Sequence, residues 1–161
     1  MNRRTFTTTA LLGLAVATAL PQAGLAQSNP WLGMWKLNLA KSTYPPPSQA
    51  PRSATLNFQG AGANLTNTVD TVNAAGNSIR LVRTHNYDGQ PHPLPGDPDQ
   101  DARSYTRVDA NTVISASTKA GKLVQVATLV LSQDGRTLTV TTRGTDAGGQ
   151  QVNTVAVYDK Q

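Results

Sequence analysis

His85 and His92 are the only histidines in the chain, and Asp88 lies between them. Imidazole nitrogens and a carboxylate at this spacing suit either a metal site or an acid/base pair. A zinc site would need one or two further ligands from elsewhere in the chain. The alternative is a set of polar residues near one end of the fold. A second cluster, "GDPDQD", places Asp97, Asp99 and Asp101 at i, i+2 and i+4, the opening spacing of an oxygen-ligand calcium loop. Ala102 stands where such a loop needs glycine and Val108 where it needs an acid, so a solvated turn is the competing reading. A third group is cationic: Arg83, Arg103, Arg107 and Arg143 all lie on segments with strand character. If they turned inward beside Tyr105 or Tyr158 they would form an anion clamp, because the guanidinium fork matches a carboxylate or phosphate. If they turned outward they would be ordinary surface charge.

Other chemistries are poorly provided for. There is no cysteine, which removes disulfides, thiolate ligands and thiol nucleophiles. No Gly-x-Ser-x-Gly elbow, phosphate loop or dinucleotide fingerprint is present. Neither a cofactor nor a bound metal is expected, and an enzyme would have to work with aspartate and histidine.

The elements that must position these residues alternate with period two. Apolar or β-branched residues recur in the segments 34–39, 52–59, 64–72, 78–87, 102–108, 112–118, 122–131, 136–143 and 151–159, with a short strand near 91–94. In the second of these, Ala54, Leu56 and Phe58 share a face; in the fourth, Leu81, Arg83, His85 and Tyr87 do. Short separators such as "DAN", "KAG" and "SQDG" carry the residues that tight turns require, and Asp88-Gly89 and Asp134-Gly135 are the clearest hairpin signals. All nine acidic residues are aspartate, which favours turns over helix surfaces. This pattern predicts an all-β fold: a single up-and-down antiparallel barrel of about eight to ten strands, since closure removes the two edges of a meander. An open two-sheet sandwich is the alternative. Pro45, Pro46 and Pro47 must stop the first strand, because proline donates no ladder hydrogen bond.

The N-terminus reads as a leader. Arg3 and Arg4 precede the apolar run 10–20, and Gly24 and Ala26 have the small-residue spacing of a cleavage site. Residues 1–26 are therefore expected to be a signal peptide, general-secretory or, from "NRRTF", of the twin-arginine type. Residues 27–161 are expected to form one domain, periplasmic or secreted, with no membrane span. The formal charge is +5, or +3 without Arg3 and Arg4, and the basic residues are scattered. Nucleic-acid binding is not expected, because it needs a basic stripe or patch.

Gly33-Met34-Trp35 resembles the Gly-x-Trp signature of lipocalins and fatty-acid-binding proteins, together the calycins. "GMWKLNLAKSTY" is similar to the "GxWKLNxxKSxF" opening of a group of small secreted bacterial lipocalin-like proteins of unknown function. "VAVYDKQ" resembles the closing "VYEK" strand of fatty-acid-binding proteins and of that group, and "YDGQPHPLPGDPDQDARSYTRVDANTV" looks like the group's middle segment. The resemblance covers most of residues 31–161. It implies a calycin-like barrel with Trp35 as the plug of its closed end and Tyr158 in or near the lumen. Two departures stand out. Ala156 occupies the place of the arginine that, with the tyrosine, holds a carboxylate in fatty-acid-binding proteins. The segment 44–51 replaces their helical lid.

The expected function is binding or carrying a small lipophilic molecule. Trp35, Arg83, His85, Tyr105 and Tyr158 are the candidate ligand-binding residues, and no catalytic residue is assigned. The short side chains of "SASTKAG" and "TLTVTTRG" favour interior space. Two other classes stay open: a filled barrel that meets a protein partner through its surface in the cell envelope, and an enzyme using His85, Asp88 or the arginines.

Overall fold

Ten strands alternate inward and outward, and almost every one lies where the period-two pattern places it. The computed structural model describes residues 29–61 and 64–161; the leader expected over 1–26 lies outside them. The strands are β1 (Gly33–Leu37), β2 (Ser53–Ala61), β3 (Asn64–Val72), β4 (Ser78–His85), β5 (His92–Pro93), β6 (Ala102–Arg107), β7 (Thr112–Lys119), β8 (Lys122–Leu131), β9 (Thr137–Thr145) and β10 (Gln151–Lys160). All pairings are antiparallel, in the order β4-β3-β2-β1-β10-β9-β8-β7-β6-β5. The one pairing between strands distant in sequence is β1 with β10, where Trp35 lies opposite Lys160 and Leu37 opposite Tyr158. The sheet curls so that one set of alternate residues forms the core. Among the described residues, no helix is long and apolar enough to cross a membrane.

The ladder has two ends, β4 and β5. Asp88-Gly89 does form a turn, but it does not join paired strands. Its Gly89 N–H instead donates to the Tyr105 carbonyl on β6 (3.1 Å). The physical reason lies in residues 91–98, where Pro91, Pro93, Pro95 and Pro98 remove four backbone donors. Side chains cross this seam in place of the ladder. Arg83 on β4 pairs with Asp97 beyond β5 (3.1 Å), and Asn86 reaches the His92 ring (3.0 Å).

The first strand ends before the prolines reach it. Asn38 accepts from the Lys41 N–H and donates to Asp159 (2.7 Å), turning the chain into a single 3-10 turn at Leu39–Lys41. A lone bridge from Thr43 to Val155 and a second 3-10 turn at Pro47–Gln49 carry the chain over to β2.

One end of the fold is sealed by aromatic packing. Trp35 is fully buried; its indole N–H donates to the Trp31 carbonyl (3.0 Å) and its ring lies under the Lys160 ammonium (5.0 Å). Trp31 is equally buried, donates to the Ala110 carbonyl (3.0 Å) and meets Phe58 edge-on. Leu131, Leu138 and Val113 belong to the same buried cluster. Gly33, at φ +108°, gives the entering chain a conformation that other residues rarely adopt. Gly144 on β9 has a different role: a Cβ there would sit 2.0 Å from the Val124 carbonyl oxygen, so only glycine permits this approach of β9 to β8.

Candidate functional site

The inward residues do not fill the curl. A cavity of about 200 Å3 remains, bounded by residues from eight of the ten strands and by Tyr44 from the crossing segment. Four of the five candidate residues line it: Arg83 and His85 from β4, Tyr105 from β6 and Tyr158 from β10. Trp35 does not. It belongs to the plug, fully buried with its indole bonded to the Trp31 carbonyl and its ring under Lys160.

His85 is a fully enclosed polar side chain in this wall. Its ring stacks on Tyr105 (centroids 3.8 Å apart, planes 13° apart) and meets Phe58 and Tyr87 edge-on. Burial, followed by the positive charges of Arg103, Arg83 and Arg107, lowers its pKa from 6.5 to about 3. The ring is therefore neutral at physiological pH. Arg83 is half-buried beside it. Burial and the charge of Arg103 weaken its hold on the proton, whereas Tyr105 and the Asp97 carboxylate strengthen it. Burial raises the Tyr158 hydroxyl above the usual phenol range, with nearby Tyr44 adding to the effect and Arg83 opposing it. Tyr44 itself is pushed up to about 12 by burial.

The remaining arginines separate. Arg103 turns into the cavity wall. Its Nε donates to Ser117 Oγ (2.8 Å) and to Gln100 Oε1 (3.1 Å), and Gln100 in turn donates to Gln125 (3.0 Å). Arg107, at the same parity on β6, lies outside the cavity and is exposed, with its guanidinium 4.3 Å above the Tyr87 ring. Arg143 stands opposite Val126 on the outer face and is exposed. The inward clamp thus contains two of the four arginines.

The histidine–aspartate constellation does not assemble. His85 is buried on the inner face, whereas Asp88 and His92 pair with each other near the surface (2.8 Å). The separation follows from β4 ending at His85: the chain leaves the sheet before Asp88. The three aspartates of "GDPDQD" also diverge. Asp97 takes Arg83 and the Asp99 N–H, Asp99 takes the Ala147 N–H, and Asp101 takes the Ala120 N–H. Among the described residues, no group of three metal-ligating side chains forms.

Several buried inward polar residues carry no charge and belong to no motif, and two of them, Asn67 and Ser115, line the cavity. Asn67 alternates with Leu65 and Val69 on β3, Ser115 and Ser117 alternate with Val113 on β7, and Gln125 alternates with Ala127 and Leu129 on β8. The signal was a polar residue at an inward parity position, which marks either a paired core group or a ligand contact. Here both occur. Ser117 and Gln125 are hydrogen-bonded, while Asn67 Oδ1, Arg83 Nε, His85 Nε2 and Ser115 Oγ are buried without a partner among the described residues.

No family model and no curated protein matches the chain. Solved structures do. A Schistosoma mansoni fatty acid binding protein in complex with arachidonic acid superimposes with a TM-score of 0.52 at 13% identity, over 82% of this chain and 96% of that one. A zebrafish ileal bile acid-binding protein complexed with cholic acid gives a TM-score of 0.52 at 11% identity, over 82% and 99%. At such identities the likeness is one of fold. The chain is an all-β, ten-stranded antiparallel curl with the calycin-like architecture of these proteins.

Proposed function

We propose that this chain is an exported binding protein that holds one small lipophilic molecule in the cavity between its curled strands. The observation that carries the reading is the cavity itself, with four buried polar atoms on its lining residues that have no hydrogen-bond partner among the described residues. Buried polar groups are nearly always paired in native proteins, so a cluster of exceptions around one cavity points to an occupant that completes them. The two superimposed proteins were solved with arachidonic acid and cholic acid, which agrees with a lipophilic occupant. The leader read over 1–26 supports export to the periplasm or beyond. The cavity counts against a barrel filled by its own side chains, and the separation of His85 from Asp88 removes the site on which an acid/base reading rested.

Native mass spectrometry of protein purified from its own compartment, before and after denaturation, tests the proposal. A released lipophilic compound of one defined mass is expected. Folded protein that carries none, and takes up no apolar dye, would overturn it.

A further inference from the structure

The cavity is asymmetric in chemistry. Asn67, His85 and Ser115 are 4%, 1% and 1% exposed, and each has a polar atom with no partner, as does Arg83 through its Nε. Charge is unbalanced on the same wall. Arg83 is neutralised by Asp97, but Arg103 makes no salt bridge among the described residues and meets only the neutral Gln100 and Ser117. A cation drawn into a wall of low dielectric gains most from an anion brought to it. The rest of the lining includes Leu56, Val69, Leu129 and Val140. Size narrows the choice further. A cavity of about 150 Å3 holds one benzene ring, and sites for drug-sized molecules begin at about 300 Å3. The 200 Å3 available here fits a single ring with a small substituent.

We propose that the ligand is a compact monocyclic carboxylic acid, bound as its anion, with the carboxylate against Arg83, Arg103, His85 and Ser115 and the ring against Leu129 and Val140. The unpartnered Nε2 of His85 donates to the oxyanion in the tautomer that carries its proton there, and Asn67 Oδ1, an acceptor, suits a hydroxyl on the ring. The small side chain of Ala156 in the cavity wall leaves the anion to the β4, β6 and β7 side. This inference rests on the reading that the cavity binds a small lipophilic molecule.

The test is isothermal titration calorimetry on the folded chain at pH 7 with 4-hydroxybenzoate, its neutral amide 4-hydroxybenzamide, and palmitate, with uptake of an apolar dye measured in parallel. The aromatic acid should bind at least about tenfold more tightly than its amide, the effect of one charge-assisted hydrogen bond, and more tightly than palmitate. Arg103→Gln should weaken the acid more than the amide and bring their affinities to within about threefold of each other. If palmitate wins, or if acid and amide bind alike, the inference is overturned while the lipophilic-cavity reading stands. If neither the acids nor the dye bind while Trp31 and Trp35 fluorescence reports an intact fold, both readings fall. Should Arg103→Gln fail to fold, the comparison of the three ligands on the unsubstituted chain still decides the matter.

Discussion

Acidification should unfold this protein through His85. The residue is 1% exposed, and its pKa falls from 6.5 to about 3 on folding because burial, Arg103, Arg83 and Arg107 all oppose a positive charge there. Between about pH 3 and 6.5 the unfolded chain therefore holds a proton on this residue that the folded chain does not. With more protons bound in the unfolded state, stability rises with pH and is lost as pH falls through this window. The slope approaches about 1.4 kcal/mol per pH unit below 6.5. Integrated from pH 7 to pH 5, the loss is about 2 kcal/mol. The interval is favourable because the aspartates held below their ordinary range, Asp88, Asp134 and Asp159, stay ionised throughout it. Urea unfolding followed by fluorescence of the buried Trp31 and Trp35 measures the quantity directly at each pH. His85→Phe keeps an aromatic ring against Tyr105 and removes the proton site, so its stability should be flat over the same interval. A wild-type stability that changes by less than about 0.5 kcal/mol between pH 7 and 5 would refute the reasoning. So would a slope that persists in His85→Phe.

Trp35→Ala should cost about 3–5 kcal/mol in urea denaturation, because it empties the centre of the plug and strands the Trp31 carbonyl. A loss below about 1 kcal/mol would show that the plug is not built on it. Asp97→Asn should destabilise by about 1.5–3 kcal/mol by removing the carboxylate from the half-buried Arg83, and a shift in urea midpoint near zero would contradict the pairing. Gly144→Ala should lower stability by at least about 2 kcal/mol, since a Cβ would meet the Val124 carbonyl in a backbone conformation that alanine rarely adopts; thermal unfolding reads the effect. Ser115→Ala should leave the ligand-free protein as stable or raise its stability by about 1 kcal/mol, because it removes a buried hydroxyl that has no partner. The same change should weaken ligand binding, so a drop in thermal stability without ligand would argue against the orphaned-hydroxyl reading.

Much of the fold was legible in the residues. The segments 64–72 and 122–131 coincide with β3 and β8, and the others differ by one to a few residues at their ends. Ala54, Leu56 and Phe58 share a buried face as their spacing requires. The site was legible only in its components. Alternation on β4 groups Arg83 with Leu81 and His85, but Val82 on the other face is apolar too, so parity alone left two orientations open. Arg143 shows the same ambiguity resolved the other way, because its register with Val126 puts it outside. The plug was half seen: Trp31 lies before the first strand, where no periodicity assigns it a face.

What the sequence determined by itself is local: the period of two, the turn residues, the prolines that end β1 and deny β5 a ladder with β4. These depend on φ, ψ and backbone donors within a few residues. The tertiary structure decided what depends on distance between chain segments. Pairing of β1 with β10 curls the sheet, the curl chooses the inner face, and the open seam brings Arg83, His85 and Arg103 to one wall. Burial then does what no motif encodes. It keeps His85 neutral and, among the described residues, leaves Arg103 without a carboxylate and turns Asn67 and Ser115 from ordinary strand residues into unpaired groups around a cavity.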